Sequence, residues 1–576
     1  MRVTSRWVVL NALACTLLLT TTRAATLTVD SESDSVDVAP GDGVCATAMG
    51  ACTLRAAVQE SNALSGPDLV VIPAGSYALT LEGAGEDGSA SGDLDVRGDL
   101  MLQGQGSDVV VIDGRGLDRC IELHAGALQA VGLTFRDGQV AGFAGGAVLA
   151  SSGSLELTRC VVLDCQASMG GGVAVTGDAR SSIARCRLSG NHAVLGGGLS
   201  ATGSAILTVI ASTIDENVAS EPDDSGDGGG IYAEAGATAT VANTTLSGNQ
   251  ASYGGGIESS GAAVSLRNCT ITANHAVNGG GLAGLSTGSF QLANTILQGN
   301  VPDDCEEAAL ESLGHDLIGD AGWQCTLTGV TTGNLTGVSP LLGPLADNGG
   351  GPPTHALLAG SPAIDAGSAL PTGSDPQACE GDDERGIQRP QDGDGDGASA
   401  CDIGAFELAT ETGLCTDGID NDLDGLVDCG DPDCLGSAGC ADQDGDTVPD
   451  RLDCAPLDPG AFAIPPEIPR LSVVKSPARG TDAGLSWTSV RLASGSGVRH
   501  DVVTGGIRQL WSDRDFRSAS CLSRDVVTES ATDARLTGMS SDGYWYLVEA
   551  ENACGEGGYG SSSAGVPRPI PDLTCD

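Results

Sequence analysis

Gly170-Gly171-Gly172-Val173 is followed by Gly196-Gly197-Gly198-Leu199 and Gly228-Gly229-Gly230-Ile231, and the reading of these tetrads decides the fold. Related tetrads stand at Gly145-Gly146-Ala147-Val148, Gly254-Gly255-Gly256-Ile257 and Gly279-Gly280-Gly281-Leu282. Their starts are 25, 26, 32, 26 and 25 residues apart, and a polar insertion at 221–227 accounts for the one long interval. A second signature returns between them, as Cys186-Arg187-Leu188-Ser189-Gly190-Asn191, Thr213-Ile214-Asp215-Glu216-Asn217, Thr245-Leu246-Ser247-Gly248-Asn249 and Cys269-Thr270-Ile271-Thr272-Ala273-Asn274. Self-similarity at such a period marks a solenoid. Each period holds short alternating strands, such as 181–186, and none has helical periodicity. One period therefore makes one coil of three strands. The coils stack about 4.8 Å apart, and the fold expected is all-β, a right-handed parallel β-helix.

Glycine and asparagine are expected at the coil corners, where positive φ suits them. Asn191, Asn217, Asn249 and Asn274 should stack as a ladder with amides bonded from coil to coil. His192 and His275 fall in equivalent Asn-His-Ala-Val contexts, which makes them corner residues rather than a catalytic pair.

The N-terminus speaks to compartment. Arg2 and Arg6 precede an apolar run from Trp7 to Leu19, and Thr22-Arg23-Ala24 supplies small residues at −3 and −1. That is the pattern of a secretory signal peptide over residues 1–24, too short to span a bilayer. Cys15 would serve a lipoprotein reading, but apolar sequence continues past it. Acidic residues number 76 against 27 basic ones, giving a net charge of −49, and Lys475 is the only lysine. A field of that sign excludes nucleic acid and anionic lipid as partners and favours divalent cations. Removing Cys15 from 20 cysteines leaves an odd set. In an exported protein most of these should be disulfide-bonded, with one left free or paired between chains.

A solenoid needs its ends closed. Before the repeats, Cys52-Thr53-Leu54-Arg55-Ala56-Ala57-Val58-Gln59-Glu60-Ser61-Asn62-Ala63 places Leu54, Ala57, Val58 and Ser61 on one face of a short amphipathic helix. A Cys45–Cys52 disulfide would staple it. This segment resembles the Cys-Ser-Leu-Arg-Glu-Ala-Ile opening of many bacterial β-helix proteins. Further on come Ser312-Leu313-Gly314-His315-Asp316-Leu317-Ile318-Gly319-Asp320, Pro344-Leu345-Ala346-Asp347-Asn348-Gly349-Gly350, Ser361-Pro362-Ala363-Ile364-Asp365-Ala366-Gly367, Asp383-Glu384-Arg385-Gly386 and Cys401-Asp402-Ile403-Gly404-Ala405-Phe406-Glu407. These resemble, in order, the motifs of choice-of-anchor Q proteins. The resemblance implies a secreted or bacterial surface β-helix with no established catalytic residues, and it places Gly314-His315-Asp316 in a capping segment. The tetrads are also similar to repeats of polymorphic outer-membrane autotransporters, though no terminal barrel follows.

Parallel β-helices often carry polysaccharide lyases and hydrolases. Lyase chemistry needs a basic group beside acidic ones. The coils carry no lysine, and Arg119, Arg159, Arg180, Arg185 and Arg187 do not gather in the sequence around one acidic site. Asp215-Glu216 reads as a solvated corner rather than an acid–base pair. No catalytic residue is assigned.

After Glu407 the composition changes. Asp420, Asp422, Asp424, Asp428 and Asp431 occupy positions 1, 3, 5, 9 and 12 of a loop, and Asp442, Asp444, Asp446, Asp450 and Asp453 repeat that spacing. With the carbonyls of Leu426 and Val448 at position 7, this is the oxygen pattern of a Ca²⁺ loop. Position 12 is Asp rather than Glu, and the second loop has its glycine early, so the segments resemble thrombospondin type 3 repeats more than EF-hands. The earlier Asp392-Gly393-Asp394-Gly395-Asp396-Gly397 lacks the longer pattern and reads as a flexible loop with weak calcium affinity at most. Cys415, Cys429, Cys434, Cys440 and Cys454 should staple a region with too little apolar sequence for a core.

Beyond the stiff Ile464-Pro465-Pro466, alternating strands including Gly484-Leu485-Ser486-Trp487 and Tyr544-Trp545-Tyr546-Leu547-Val548 fit a β-sandwich that resembles a fibronectin type III domain. One of Cys521, Cys554 and Cys575 should be unpaired. The organisation expected is a signal peptide at 1–24, the β-helix at 25–410, an Asp/Cys-rich segment at 411–466 and the sandwich at 467–576. The function expected is calcium-stabilised adhesion or binding of an extracellular polysaccharide or cell-surface ligand. A lyase or hydrolase in the helix groove and a purely structural envelope role are the alternatives. A groove with Arg, Asp and Glu gathered from neighbouring coils would favour the enzyme.

Overall fold

The computed structural model describes residues 24–220, 225–285, 287–319, 325–394, 397–409, 453–475, 482–516, 518–535, 543–559 and 575, with 415–416, 418, 420, 426–431, 434, 437, 439–445, 448 and 450 between them. Residues 1–23, nearly all of the signal peptide expected at 1–24, lie outside these. The chain divides into two compact units, residues 1–410 and 411–576.

The first unit is a right-handed parallel β-helix. One coil runs through Arg180–Ala184, Arg187–Ser189 and Leu199–Ala201 before the next begins at Ile206–Ile210. Stacked coils build three parallel sheets. Sheet A has 12 strands, from Thr26–Thr28 to Thr326–Gly329; sheet B has 11, from Gly75–Ala78 to Leu335–Thr336; sheet C has 9, from Leu94–Val96 to Cys305–Glu306. Alternation sends Ile183, Leu188 and Leu199 into a dry core with no exposed surface. Between sheets B and C the coils from Gln139 onward make an outward excursion with parallel bridges of their own, such as Gln166↔His192 and Met169↔Leu195. It returns through the glycine tetrad. A β-carbon on Gly197 would lie 2.5 Å from the carbonyl oxygen of Gly229 in the next coil, so only glycine permits this stacking.

The asparagine ladder is present. Each Nδ2 donates to the Oδ1 of the next coil at 2.9 Å, from Asn191 through Asn217, Asn249 and Asn274 to Asn300. The positive φ falls one residue earlier, at Gly190, Glu216, Gly248 and Ala273, because the asparagines point inward. At the other corner asparagine does take positive φ, at Asn243, Asn268 and Asn294.

The sequence predicts one odd cysteine; among the described residues five thiols are free, at Cys120, Cys160, Cys165, Cys186 and Cys269, all buried. Several are members of inner hydrogen-bond rows. The Cys186 sulfur accepts from the Cys160 N–H (3.3 Å), while Ser212 and Thr295 do the same for Cys186 and Cys269. Cys165 heads the asparagine row. The remaining described cysteines form seven disulfides.

The N-terminal end is closed by α1, Leu54–Ala63, capped by Thr53, with the Cys45–Cys52 bridge beside it. The helix is buried on every side rather than on one face, since the preceding segment covers it: Arg55 pairs with Asp34 at 2.5 Å. After the last coil, residues 340–409 do not cap the end. They turn back and lie as a strap along the outer face of sheet B. Glu384 accepts from Thr213 (2.9 Å) and Thr245 (2.6 Å), and His355 bonds Ser247 at 2.9 Å. The motifs noted in the sequence hold this strap: Arg385 pairs with Asp383 and Arg389 with Glu407, both without solvent exposure to speak of.

In the second unit the cysteines pair as Cys415–Cys434 and Cys429–Cys440. Cys454 instead joins Cys554, and Cys521 joins Cys575, so none of the C-terminal three is left over. Two antiparallel sheets follow. One has the order Leu471–Lys475, Ala483–Trp487, Ser530–Asp533, and the other the order Ser520–Val526, Arg499–Gly506, Tyr544–Asn552, Gly555–Glu556. Trp487 is in the core, edge-on to His500.

Candidate functional site

The outer face of sheet C is where chemistry collects. Its central outward row runs Asp95, Glu122, Leu149, Ala174, Ser200, Tyr232, Glu258, Ala283 and Glu306. Most of these are buried although they point out, because the excursions between sheets B and C fold over the row.

At its N-terminal end the row opens into a cleft of about 830 Å3, lined among others by Leu117, Asp118, Arg119, Glu122, Phe143 and Leu149. The arginines were expected to be scattered, but Arg119 is not. Its Nη1 reaches Asp93 at 3.1 Å and also bonds Glu122. His124 in turn bonds Asp95 at 2.7 Å and lies 3.5 Å from Glu122. Asp93 and Asp95 come from one coil and Arg119, Glu122 and His124 from the next, so the stacking register assembles the group. Burial, reinforced by the charges of Asp118 and Asp95 and opposed by Arg119, pushes the Asp93 carboxyl up to about 7. One oxygen of each of Asp93, Asp95 and Glu122 lies within 4.8 Å of the others. Arg119 and His124 stand among them. Asp118 is 3% exposed, and its Oδ2 has no hydrogen-bond partner among the described residues. Phe143 (66% exposed) and Leu117 present apolar surface at the rim. An apolar wall over a few polar groups is the make-up of a small-molecule or sugar site.

This is the gathering of Arg, Asp and Glu that an enzyme would use, and two carboxylates about 5 Å apart suit a retaining glycosidase. The burial differs from that requirement. Asp93 and Asp95 are 2% and 1% exposed and engaged by Arg119 and His124, leaving Glu122 as the carboxylate at the cleft wall.

Other sequence candidates are placed as follows. Asp215 is no solvated corner: it is buried and paired with Arg187 at 2.6 Å, while Glu216 is exposed. His192 and His275 occupy the same outward ladder and do not meet. Asp316 lies in an inner row, accepting from the Thr295 N–H, and burial pushes it to about 7; His315 bonds the Ala366 carbonyl. In the Asp-rich segment, Asp422, Asp424 and Asp446 lie outside the described residues. Asp450 and Asp442 each accept a backbone N–H of the second loop, from Gln443 and Gly445 (2.8 Å), which curls that loop back toward both carboxylates. Asp428 accepts from Gly418 at 3.1 Å, Asp431 and Asp453 are buried, and Asp420, Asp444, Leu426 and Val448 lie along the same segment. The shorter loop gains an unforeseen member: Asp365 brings a carboxylate oxygen within 4.8 Å of those of Asp392 and Asp394. Asp396 lies outside the described residues.

Among the described residues no helix is long and apolar enough to cross a membrane. No curated protein and no solved structure matches the chain. Residues 123–301 match the family described as the right-handed beta helix region, the stretch that contains all six tetrads, and with the three parallel sheets this makes the chain a β-helix protein.

Proposed function

We propose that this chain is a secreted or surface-exposed, non-enzymatic β-helix protein that binds an extracellular glycan in the cleft on sheet C. The observation that carries this reading is the meeting, in one cleft, of an exposed aromatic rim at Phe143 with the carboxylates of Asp118 and Glu122 in its wall. A sugar offers both an apolar ring face and hydroxyl donors. Seven disulfides support an oxidising compartment. Calcium is the cofactor of this reading, held by the Asp-rich loops with Asp420, Asp428, Asp431, Asp442, Asp444, Asp450 and Asp453 as described donors. The strand order of the C-terminal sheets supports a fibronectin type III-like domain there.

Hydrolysis is the second reading, favoured by Asp93 holding its proton near pH 7 beside Glu122. A glycan panel read for both binding and cleavage separates the two. Binding without cleavage, lost in Phe143→Ala and Asp118→Asn, supports the first; cleavage abolished by Glu122→Gln overturns it. For calcium, titration by calorimetry should release heat and chelation should lower the unfolding temperature of the second unit. No heat on titration rejects the metal.

A further inference from the structure

The corner between sheets A and B is left-handed in coil after coil: Gly132 (φ 64), Arg159 (52), Arg185 (55), Ala211 (50), Asn243 (46), Asn268 (47) and Asn294 (52). Glycine and asparagine suit this conformation, and arginine does not. The asparagines have a structural task, because they clasp the strap. Asn243 donates to the Asp382 carbonyl at 2.7 Å, Asn294 accepts from the Ser368 N–H at 2.8 Å, and Asn268 accepts from the Glu380 N–H at 3.0 Å. Arg159 and Arg185 continue the row past these fastenings. Both are exposed, and among the described residues neither guanidinium has an ion pair or hydrogen bond. Two adjacent coils thus accept an unfavourable residue at a strained corner with no structural return, in a chain of net charge −49 that carries only 27 basic residues.

Both arginines line a cleft of about 490 Å3 that is closed on its far side by the strap from Gly350 to Pro353, and the exposed Asp347 is the one carboxylate among the described residues that line it with the three arginines. Arg187 lines it too, with its charge already met by Asp215. Gly386 of the strap lies beside Arg185, whose guanidinium is 3.5 Å from where a β-carbon on that glycine would stand, an ordinary contact distance. Paired planar forks with free N–H groups match an oxyanion, a carboxylate or a sulfate. The volume is that of a small-ligand pocket. The overall field repels a densely charged polymer, which leaves a glycan with isolated acidic substituents.

We propose that the Arg159–Arg185 cleft binds the anionic substituent of a sparsely charged glycan. It lies at the corner of sheets A and B and is independent of the cleft on sheet C.

Calorimetry on the full chain with glucuronate-terminated, sulfate-terminated and neutral oligosaccharides of equal length tests this, with inorganic sulfate as a fourth probe. The acid-terminated probes should bind at least tenfold more tightly than the neutral one. Whichever of carboxylate and sulfate binds better identifies the group. Arg159→Asn and Arg185→Asn each restore a residue suited to the corner, so unfolding temperatures should hold or rise while affinity falls about tenfold, and the double variant should lose binding. Equal affinity for neutral and acidic probes, binding of inorganic sulfate alone, or Asn variants that bind normally or unfold earlier would each overturn the proposal.

Discussion

Replacing Glu258 by glutamine should flatten the pH dependence of β-helix stability between pH 5 and pH 8. Glu258 sits in the outward row of sheet C with no exposed surface, and among the described residues neither carboxylate oxygen has a hydrogen-bond partner. Burial first, and the charge of Asp227 second, push its carboxyl up to about 8 from an ordinary value of 4.5. Each tenfold change in proton affinity is worth about 1.4 kcal/mol. Ionising the group in the folded state therefore costs at most about 4–5 kcal/mol, and local relaxation brings this to about 2–4 kcal/mol. The folded chain keeps the proton that the unfolded chain has released. Stability consequently falls as pH rises from about 4.5 and levels off above about 8. Glutamine cannot ionise, so its curve lacks this component. Asp93 and Asp316, both near 7, slope the same way in both proteins and cancel in the difference. Urea denaturation followed by circular dichroism at pH 5, 6.5 and 8 measures it, with the wild type losing about 2–4 kcal/mol more than the variant. Parallel curves would refute the argument, whatever the absolute stability of the variant.

Asn217→Ala removes a side chain that donates to Leu188 and Asn249 and accepts from Asn191, all inside the dry core. It should cost about 2–4 kcal/mol in the same denaturation experiment, whereas exposed Glu216→Ala should cost under about 1 kcal/mol. Cys454→Ser opens a disulfide of sequence separation 100 and should destabilise the second unit by about 4 kcal/mol in calorimetry, without moving the transition of the β-helix. A thiol reagent should find no reactive cysteine in residues 25–576 of the native protein and five after unfolding without reductant; fast native reaction would contradict their burial.

The coils were legible because glycine is the only residue that fits where Gly197 meets the next coil, so the tetrads recur at the period of the backbone itself. The same logic failed toward the N-terminus. The coils that hold Asp93 and Arg119 lack a tetrad, so nothing in the sequence marked the 26-residue separation as one turn, and the ion-pair group went unseen. The thiols were misjudged for a related reason. Compartment argues for pairing, but Cys160 and Cys186 sit in an inner row that serine and threonine fill in other coils, a role that depends on size and burial. The strap was invisible as a position, since its partners Thr213 and Thr245 lie far away in sequence. The arginines at the left-handed corner were noted singly; only their register shows that they share one cleft.

The strap has a further consequence for how such a chain can change length. Solenoids ordinarily grow or shrink by duplication or deletion of whole turns, each new turn fitting any other. Here the strap is anchored on successive turns at Thr213, Asn243, Asn268 and Asn294, at fixed places along its own length. It acts as a ruler for that stretch. Gaining or losing a turn between Thr213 and Asn294 would leave the anchors out of step with their partners, while turns before Arg159 meet no such gauge. Inheritable variation in the length of this molecule is thereby steered to its N-terminal turns, the part that carries the cleft on sheet C.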